Sequence, residues 1–151
     1  MLWWAVRYPI KTRQLMSNNT PFEVTFDVRF CETDALGHVG NTVLVQWFEA
    51  GRDPLFRLFT PDLDLKNWPL ILASYHVDFH QQLFFGQPVT VKTYVSRIGN
   101  SSFEVLQEAW QSEVKCATGT TTLVHFDFAT QRSAAIPDTV KAMLGEHLKE
   151  S

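Results

Sequence analysis

The residues of this sequence best suited to chemistry lie in one short segment, ETDALGHVGN. It places Asp34, His38 and Asn41 close together, with Gly37 and Gly40 between them. A carboxylate can activate water or attack a carbonyl carbon directly, and an imidazole can orient a substrate. Glycines let the backbone approach a bound molecule closely. The same residue types also suit a plain turn, because Asp and Gly are both favoured there. Both interpretations stay open at this point.

The next stretch of the chain, residues 42–59, has helical periodicity. Its polar positions form one narrow stripe: Gln46, Glu49, Asp53 and Arg57. Most of the remaining circumference is apolar, which predicts a helix wrapped by apolar surface on several sides. Pro54 cannot donate a backbone hydrogen bond and disfavours a helical Asp53, so a break is expected near residue 53.

A helix that begins near Asn41 would supply a second chemical element. The first N–H groups of a helix have no partner within the helix, and the helix dipole lies behind them. A thioester or ester carbonyl placed there would develop negative charge during attack, and those donors would stabilise it. Asn41 is a good candidate for the N-cap, and its backbone N–H is the expected donor. Asp34 lies a few residues upstream, where a base or nucleophile is needed.

Other catalytic chemistries find less support. Glu49 and Arg52 are spaced i, i+3 and are expected to pair with each other on a largely buried helix. His76 and His80 fall on a predicted strand, which separates their backbones by roughly 13 Å and disfavours a shared metal. The sequence has no GxSxG motif, no P-loop and no dinucleotide-binding glycine pattern. Nothing in it requires a metal or a cofactor.

The rest of the chain predicts the elements that hold this segment. Strict alternation predicts a strand over residues 21–30, with a buried face formed by Phe22, Val24, Phe26, Val28 and Phe30. Further strands are predicted at 71–80, 89–98, 102–111 and 117–128, with a loop at 60–69 and a short helix opening at Pro137. This order predicts an α+β domain whose antiparallel sheet curls around one long central helix.

Composition sets the remaining bounds. The chain has 151 residues and a net charge of -3, with Lys and Arg scattered, which argues against nucleic-acid binding. We expect a poorly ordered extension over 1–18 and a single domain over 19–151, with no membrane span. Cys31 and Cys116 are interpreted as buried free thiols in a reducing compartment, so the protein is expected to be cytoplasmic.

Two segments resemble the 4-hydroxybenzoyl-CoA thioesterase family, which has the hot-dog fold. The first is ETDALGHVGNTVLVQWFEAGRDPLF, which is similar to a family signature of an Asp, a His-Val-Asn-Asn-like run and an apolar helix with Glu-x-x-Arg. The second is HVDFHQQLFFGQPVTVKTYVSRIGNSSFEV, which resembles the second family signature. The resemblance covers residues 21 to 130. Gly40 departs from it by replacing the first Asn of the usual pair, and Gly51 with Pro54 weakens a helix that is normally continuous.

The resemblance implies an acyl-CoA thioester hydrolase that uses no cofactor. It implies Asp34 as general base or nucleophile, with the amide of Asn41 at the thioester oxygen. The other expected site residues are His38 for catalysis, Gly37, Gly40, Arg97 and Lys92 for substrate binding, and Glu49 as the alternative catalytic carboxylate. The implied partners are acyl-CoA or an acyl-carrier protein and a second copy of the chain, in a homodimer or a tetramer made of dimers. Two alternatives stay open: a hot-dog dehydratase or hydratase, and a non-catalytic protein that binds acyl thioesters.

Overall fold

The computed structural model describes residues 20–149. Its strands are β1 (Phe22–Phe26), β2 (Leu70–Phe79), β3 (Val89–Ile98), β4 (Ser102–Gln111), β5 (Val114–Asp127) and β6 (Arg132–Ser133). Its α-helices are α1 (Asn41–Gly51), α2 (Asp53–Phe56) and α3 (Asp138–Gly145), with short 3-10 helices at Phe30–Glu32 and Leu65–Asn67. The strands pair antiparallel in the order β1-β3-β4-β5-β2, and β6 pairs with β5.

The sheet is held by the hairpins that the alternating sequence predicts. Strands β3 and β4 span the predicted ranges 89–98 and 102–111, and their turn closes with a hydrogen bond from the N–H of Gly99 to the carbonyl of Ser102 at 2.7 Å. Every second residue of β3 is buried from Val89 to Val95, so one face of the sheet lines the core.

Helix α1 lies against this buried face. A Cβ atom on Gly51 would come within 2.8 Å of Cγ1 of Val91, and one on Gly119 would come within 2.8 Å of the ring of Phe48. Glycine at these two positions therefore lets the helix approach the sheet closely. The predicted break is confirmed, because α1 ends at Gly51 and α2 begins at Asp53.

Buried polar side chains also fix α1 to the sheet. Thr93 on β3 donates a hydrogen bond from Oγ1 to the carbonyl of Gly51 at 3.0 Å. Gln107 on β4 donates from Nε2 to the carbonyl of Phe48 at 2.8 Å. Both side chains are fully buried, so these bonds satisfy carbonyls at the end of the helix that water does not reach. The helix is therefore positioned by specific bonds as well as by packing.

The predicted fold class is confirmed. An antiparallel sheet curls around one central helix, which is the hot-dog arrangement of an α+β fold. Within the described residues no helix is long and apolar enough to cross a membrane. The extension predicted over 1–18 lies outside the described residues.

Two expectations about the first strand and its neighbour were wrong. Strand β1 ends at Phe26, and Phe30 is 79% exposed although the alternation placed it on the buried face. The chain has left the sheet by then, because Arg29 and Glu32 close a 3-10 turn through reciprocal hydrogen bonds. Cys31 in that turn is an exposed thiol, whereas Cys116 is buried as expected.

Candidate active site

The carboxylate of Asp34 is anchored by the backbone of its own loop. Its Oδ1 accepts hydrogen bonds from the N–H groups of Leu36 at 2.9 Å and His38 at 3.0 Å. These donors, with that of His38 contributing most, hold the pKa of Asp34 below its usual value. The side chain is 55% exposed, and Oδ2 accepts no hydrogen bond from residues 20–149. Asp34 is thus an ionised, oriented carboxylate with one oxygen open to a substrate or water.

Gly37 makes the turn that gives Asp34 this geometry. It has φ +78°, a conformation that residues with a Cβ rarely adopt. Its N–H donates to the carbonyl of Asp34 at 3.1 Å, and its own carbonyl accepts from the N–H of Phe85 at 2.9 Å. Gly37 therefore shapes the loop and fixes it to the segment after β2.

The start of α1 differs in one respect from the expectation. The N-cap is Gly40 and not Asn41, and no side chain within the described part of the chain caps the helix. Gly40 donates to the carbonyl of Glu32 at 2.9 Å, and its carbonyl accepts from Val43 at 3.1 Å. Among residues 20–149 nothing accepts a hydrogen bond from the backbone N–H of Asn41 or Thr42. Asn41 therefore retains the unpaired N–H that was predicted, although its side chain is not the cap.

A cavity of about 370 Å³ opens at this helix start. It is lined by Val39, Gly40, Asn41, Leu44, Phe79, His80, Gln81, Gln82 and Leu83. The N–H of Val39 donates to the carbonyl of Leu83 at 2.8 Å, which holds the two walls together. The geometry suits a carbonyl oxygen at the helix start with an apolar group beside it. Asp34 does not line this cavity but lies in the loop that leads into it.

The His38 ring, which was predicted to take part in catalysis, lies too far from Asp34 to bind its carboxylate directly. Its Nδ1 lies 3.7 Å from Oδ2 of Asp34, which is too far for a hydrogen bond. The ring meets Phe84 edge to face, with 5.1 Å between the centroids. His38 is therefore near the carboxylate, but its backbone N–H makes the direct contact and its ring does not.

The expected pair between Glu49 and Arg52 is not formed. Arg52 is 5% exposed and donates from Nη1 to Gln107 at 3.1 Å and Thr121 at 3.4 Å, whereas Glu49 is exposed. No ion pair within 4.0 Å joins them in the part of the chain that the structure describes. Arg52 follows the last residue of α1 and is buried against the sheet, where the side chains of Gln107 and Thr121 accept its hydrogen bonds.

The predicted phosphate contacts lie elsewhere. Lys92 belongs to a separate cavity with Glu23 and Trp110, lying 3.7 Å from the carboxylate of Glu23 and 5.1 Å from the centre of the Trp110 ring. Arg97 lies five residues farther along β3, which separates the two backbones by roughly 16 Å. Neither residue lines the cavity at the start of α1, so their role in phosphate binding stays a prediction.

The polar wall of the cavity was missed by the sequence analysis. His80 was considered only as a metal ligand, yet it lines the cavity with Gln81 and Gln82 while its Nε2 lies 3.0 Å from Oγ1 of Thr118. These three residues lie in the second segment that resembles the family, which was the available sequence signal for them. Among the described residues no three of His, Cys, Asp and Glu are placed to hold a metal ion.

Comparison with known proteins defines the family. Residues 28–144 match the sequence profile of the Thioesterase-like superfamily. This chain belongs to that superfamily. The sequence-based assignment to the hot-dog thioesterases is therefore confirmed, and with it, at the level of the family, the expectation of a thioesterase.

Several relatives of this thioesterase-like chain have solved structures or assigned names. A predicted thioesterase from Bacillus stearothermophilus is 42% identical, with a TM-score of 0.84 over 87% of this chain and 99% of that one. A thioesterase from Thermus thermophilus, solved with coenzyme A and Zn, is 28% identical, with a TM-score of 0.74 over 83% and 98%. A 1,4-dihydroxy-2-naphthoyl-CoA hydrolase from Synechococcus sp. is 25% identical over 79% of this chain and 86% of its own.

Proposed function

We propose that this protein hydrolyses acyl-CoA thioesters to a free acid and coenzyme A. The observation that carries the proposal is the pair of unpaired N–H groups, of Asn41 and Thr42, at a helix start that opens onto a cavity. Such donors stabilise the oxyanion that forms when a thioester carbonyl is attacked. The superfamily and the hydrolase relative from Synechococcus support the same reaction.

Asp34 is the proposed working carboxylate. In one route it takes a proton from water as the water oxygen bonds to the carbonyl carbon. In the other route its Oδ2 attacks that carbon, and water then cleaves the resulting anhydride. In both routes the C–S bond breaks, the sulfur leaves with its electron pair, and a proton is delivered to give the free thiol. The open Oδ2 and the two bonds that fix Oδ1 support either role.

The alternative carboxylate, Glu49, lies in the second half of α1. It is eight residues along α1 from Asn41, which places it roughly 12 Å away along the helix axis. It lines a different cavity, beside Arg52 and Tyr75. Asp34, by contrast, belongs to the loop that leads directly into the start of α1, which supports it as the first candidate.

A second copy of the chain is part of the proposal. Strand β2 ends the sheet, and its residues Leu72 and Phe79 are about half exposed. An exposed apolar sheet edge favours pairing with another chain. A second copy there would cover the edge and enclose the substrate path from Phe79 to the cavity at the start of α1. Light scattering during gel filtration tests this directly, with a dimer or a tetramer as the expected result.

Thiol release tests the proposed reaction. The intact protein is mixed with short, long and aromatic acyl-CoAs, and released coenzyme A is followed with a thiol reagent. Release of thiol with formation of the free acid is the expected result. Hydration of an enoyl-CoA without thiol release would indicate a hydratase. Tight binding of acyl-CoA without any turnover would indicate a binding protein instead.

A further inference from the structure

A second cavity lies beside the far end of α1, with a volume of about 250 Å³. Its walls are mostly apolar, and its lining residues are Val45, Glu49, Arg52, Phe56, Trp68, Leu70, Leu72, Tyr75 and Leu123. It runs along the same two elements as the first cavity, α1 and the edge strand β2, at their opposite ends. The two cavities therefore lie towards opposite ends of α1, and Asn41 and Arg52 are roughly 16 Å apart along the helix axis.

One lining residue of this second cavity, Arg52, is a buried cation with unused hydrogen-bond donors. Arg52 is 5% exposed, and its Nε is fully enclosed without a hydrogen-bond partner among the described residues. Both bonds that it does make leave from Nη1 and end on neutral side chains, those of Gln107 and Thr121. The Nε–Nη2 edge of the guanidinium, which matches the two oxygens of a carboxylate, makes no bond to a described residue.

A second enclosed donor belongs to Tyr75, which lines the same cavity. The hydroxyl of Tyr75 on β2 is enclosed and has no hydrogen-bond partner within residues 20–149. Burial raises the pKa of this phenol, so it stays a neutral donor at neutral pH. Leaving a buried donor unpaired costs free energy. Arg52 and Tyr75 both line this apolar cavity, so their enclosed donors indicate a ligand with a matching acceptor.

The charge balance favours an anionic acceptor. Among residues 20–149, Arg52 is the only positively charged side chain that lines this cavity, and Glu49 is the only carboxylate that does so. Glu49 is exposed, so water screens its repulsion of a ligand, whereas the attraction of buried Arg52 acts in a medium of lower polarity.

We propose that this cavity binds a carboxylate at the distal end of the acyl group, held by the Nε–Nη2 edge of Arg52 and the hydroxyl of Tyr75. The proposal rests on the function proposed above and names its substrate class as thioesters of extended dicarboxylic acids. With the thioester carbonyl at the N–H of Asn41, the acyl chain would lie along α1 between the two cavities. Apolar side chains such as Val45 and Leu72 would line its path.

Matched substrate pairs test this assignment. Each pair is a mono-CoA thioester of a dicarboxylic acid and the methyl-ended acyl-CoA of the same chain length, in a ladder from hexanoyl to dodecanoyl. A third member carries a terminal hydroxyl. We expect kcat/KM to favour the carboxyl-ended member by roughly tenfold or more at the best-fitting length. Equal or better turnover of the methyl-ended or hydroxyl-ended member would overturn the assignment.

Two variants test whether the preference for carboxyl-ended substrates arises in this cavity. Tyr75→Phe removes only an unpaired hydroxyl, so it should fold normally and should reduce the preference for the carboxyl-ended substrate severalfold. Arg52→Met should abolish the preference while methyl-ended substrates are still hydrolysed. Its melting temperature is measured alongside, because the bonds to Gln107 and Thr121 are lost too. An unchanged preference in both variants would refute the assignment.

The same ladder separates this proposal from the proposed function. Calorimetric binding of each acyl-CoA pair is measured with the intact protein, whether or not it turns over. Tighter binding of the carboxyl-ended member without thiol release would support the proposed carboxylate site and refute the proposed hydrolase activity. Thiol release without a preference for the carboxyl-ended member in binding or in turnover would support the hydrolase and refute the proposed carboxylate site.

Discussion

Asp34 and His38 bind each other through their backbones as well as through a side chain. The N–H of Asp34 donates to the carbonyl of His38 at 2.9 Å, and the N–H of His38 donates to Oδ1 of Asp34 at 3.0 Å. This reciprocal pair closes the loop and leaves Oδ2 of Asp34 outside both bonds. The position of the carboxylate thus depends on the main-chain conformation of the loop.

The anchoring of Asp34 predicts a wide pH range of activity. Its backbone donors favour the ionised form, so the pKa of Asp34 lies below the ordinary 3.8. A group with a lowered pKa stays ionised above that pKa and loses its charge as the pH falls through it. We expect kcat/KM to be flat from neutral pH down to about pH 4.5, provided circular dichroism shows the protein folded. An acid limb between about pH 5 and 7 would assign the working group to another residue.

The ring of His38 is predicted to be of secondary importance. Because Nδ1 lies 3.7 Å from Oδ2 of Asp34, removing the ring breaks no hydrogen bond, and the backbone donor remains. His38→Ala should therefore reduce kcat/KM by less than about tenfold, well below the effect of a missing general base. Steady-state kinetics of His38→Ala and His38→Gln measure this. A loss as large as that of an Asp34 variant would show that the imidazole takes part in proton transfer.

A side chain at position 37 should destabilise the protein, because Gly37 has a positive φ. At φ +78°, Gly37→Ala places a Cβ in an unfavourable conformation, which should lower the free energy of unfolding by about 1–2 kcal/mol. Urea unfolding measures the loss, and thiol release should fall with it because the Asp34 loop must shift. Gly145→Ala is the matched control, since open space surrounds that glycine and its φ is not positive. Equal stability of the two variants would contradict this reading of the turn.

The contact between Gly119 and Phe48 predicts an overpacking effect. A Cβ at position 119 would lie 2.8 and 2.9 Å from two ring carbons of Phe48, so Gly119→Ala should destabilise the protein by about 1–3 kcal/mol. Phe48→Leu frees space at the same place. The double variant should therefore lose less stability than the sum of the two single losses. Strict additivity in urea unfolding would show that the ring and the strand adjust independently.

Local patterns predicted the elements of the fold well. Period-two alternation gave the bounds of β3 and β4, and Pro54 predicted the break between α1 and α2. Phe30 shows the limit of such patterns, because an alternating sequence does not mark where the chain leaves the sheet.

The geometry of the candidate site could be expected from the sequence only where it is local. Asp34, Gly37 and the N–H of Asn41 belong to one segment, so their relation could be expected. Arg52 meets Gln107 across 55 positions of the chain, and such a contact is set by the tertiary fold. The i, i+3 spacing therefore favoured Glu49 as the partner of Arg52, and that expectation was wrong.

The most direct test of the central claim compares Asp34→Asn with Asp127→Asn. Asp127 has a similar local arrangement, because its Oδ1 accepts hydrogen bonds from the N–H groups of Ala129 at 2.9 Å and Thr130 at 3.4 Å. An amide oxygen can keep such bonds, so both variants should fold with similar stability. With the best acyl-CoA, we predict that Asp34→Asn lowers thiol release by about 10²–10⁴-fold while Asp127→Asn leaves it unchanged. Wild-type turnover by Asp34→Asn would contradict the account and direct attention to Glu49.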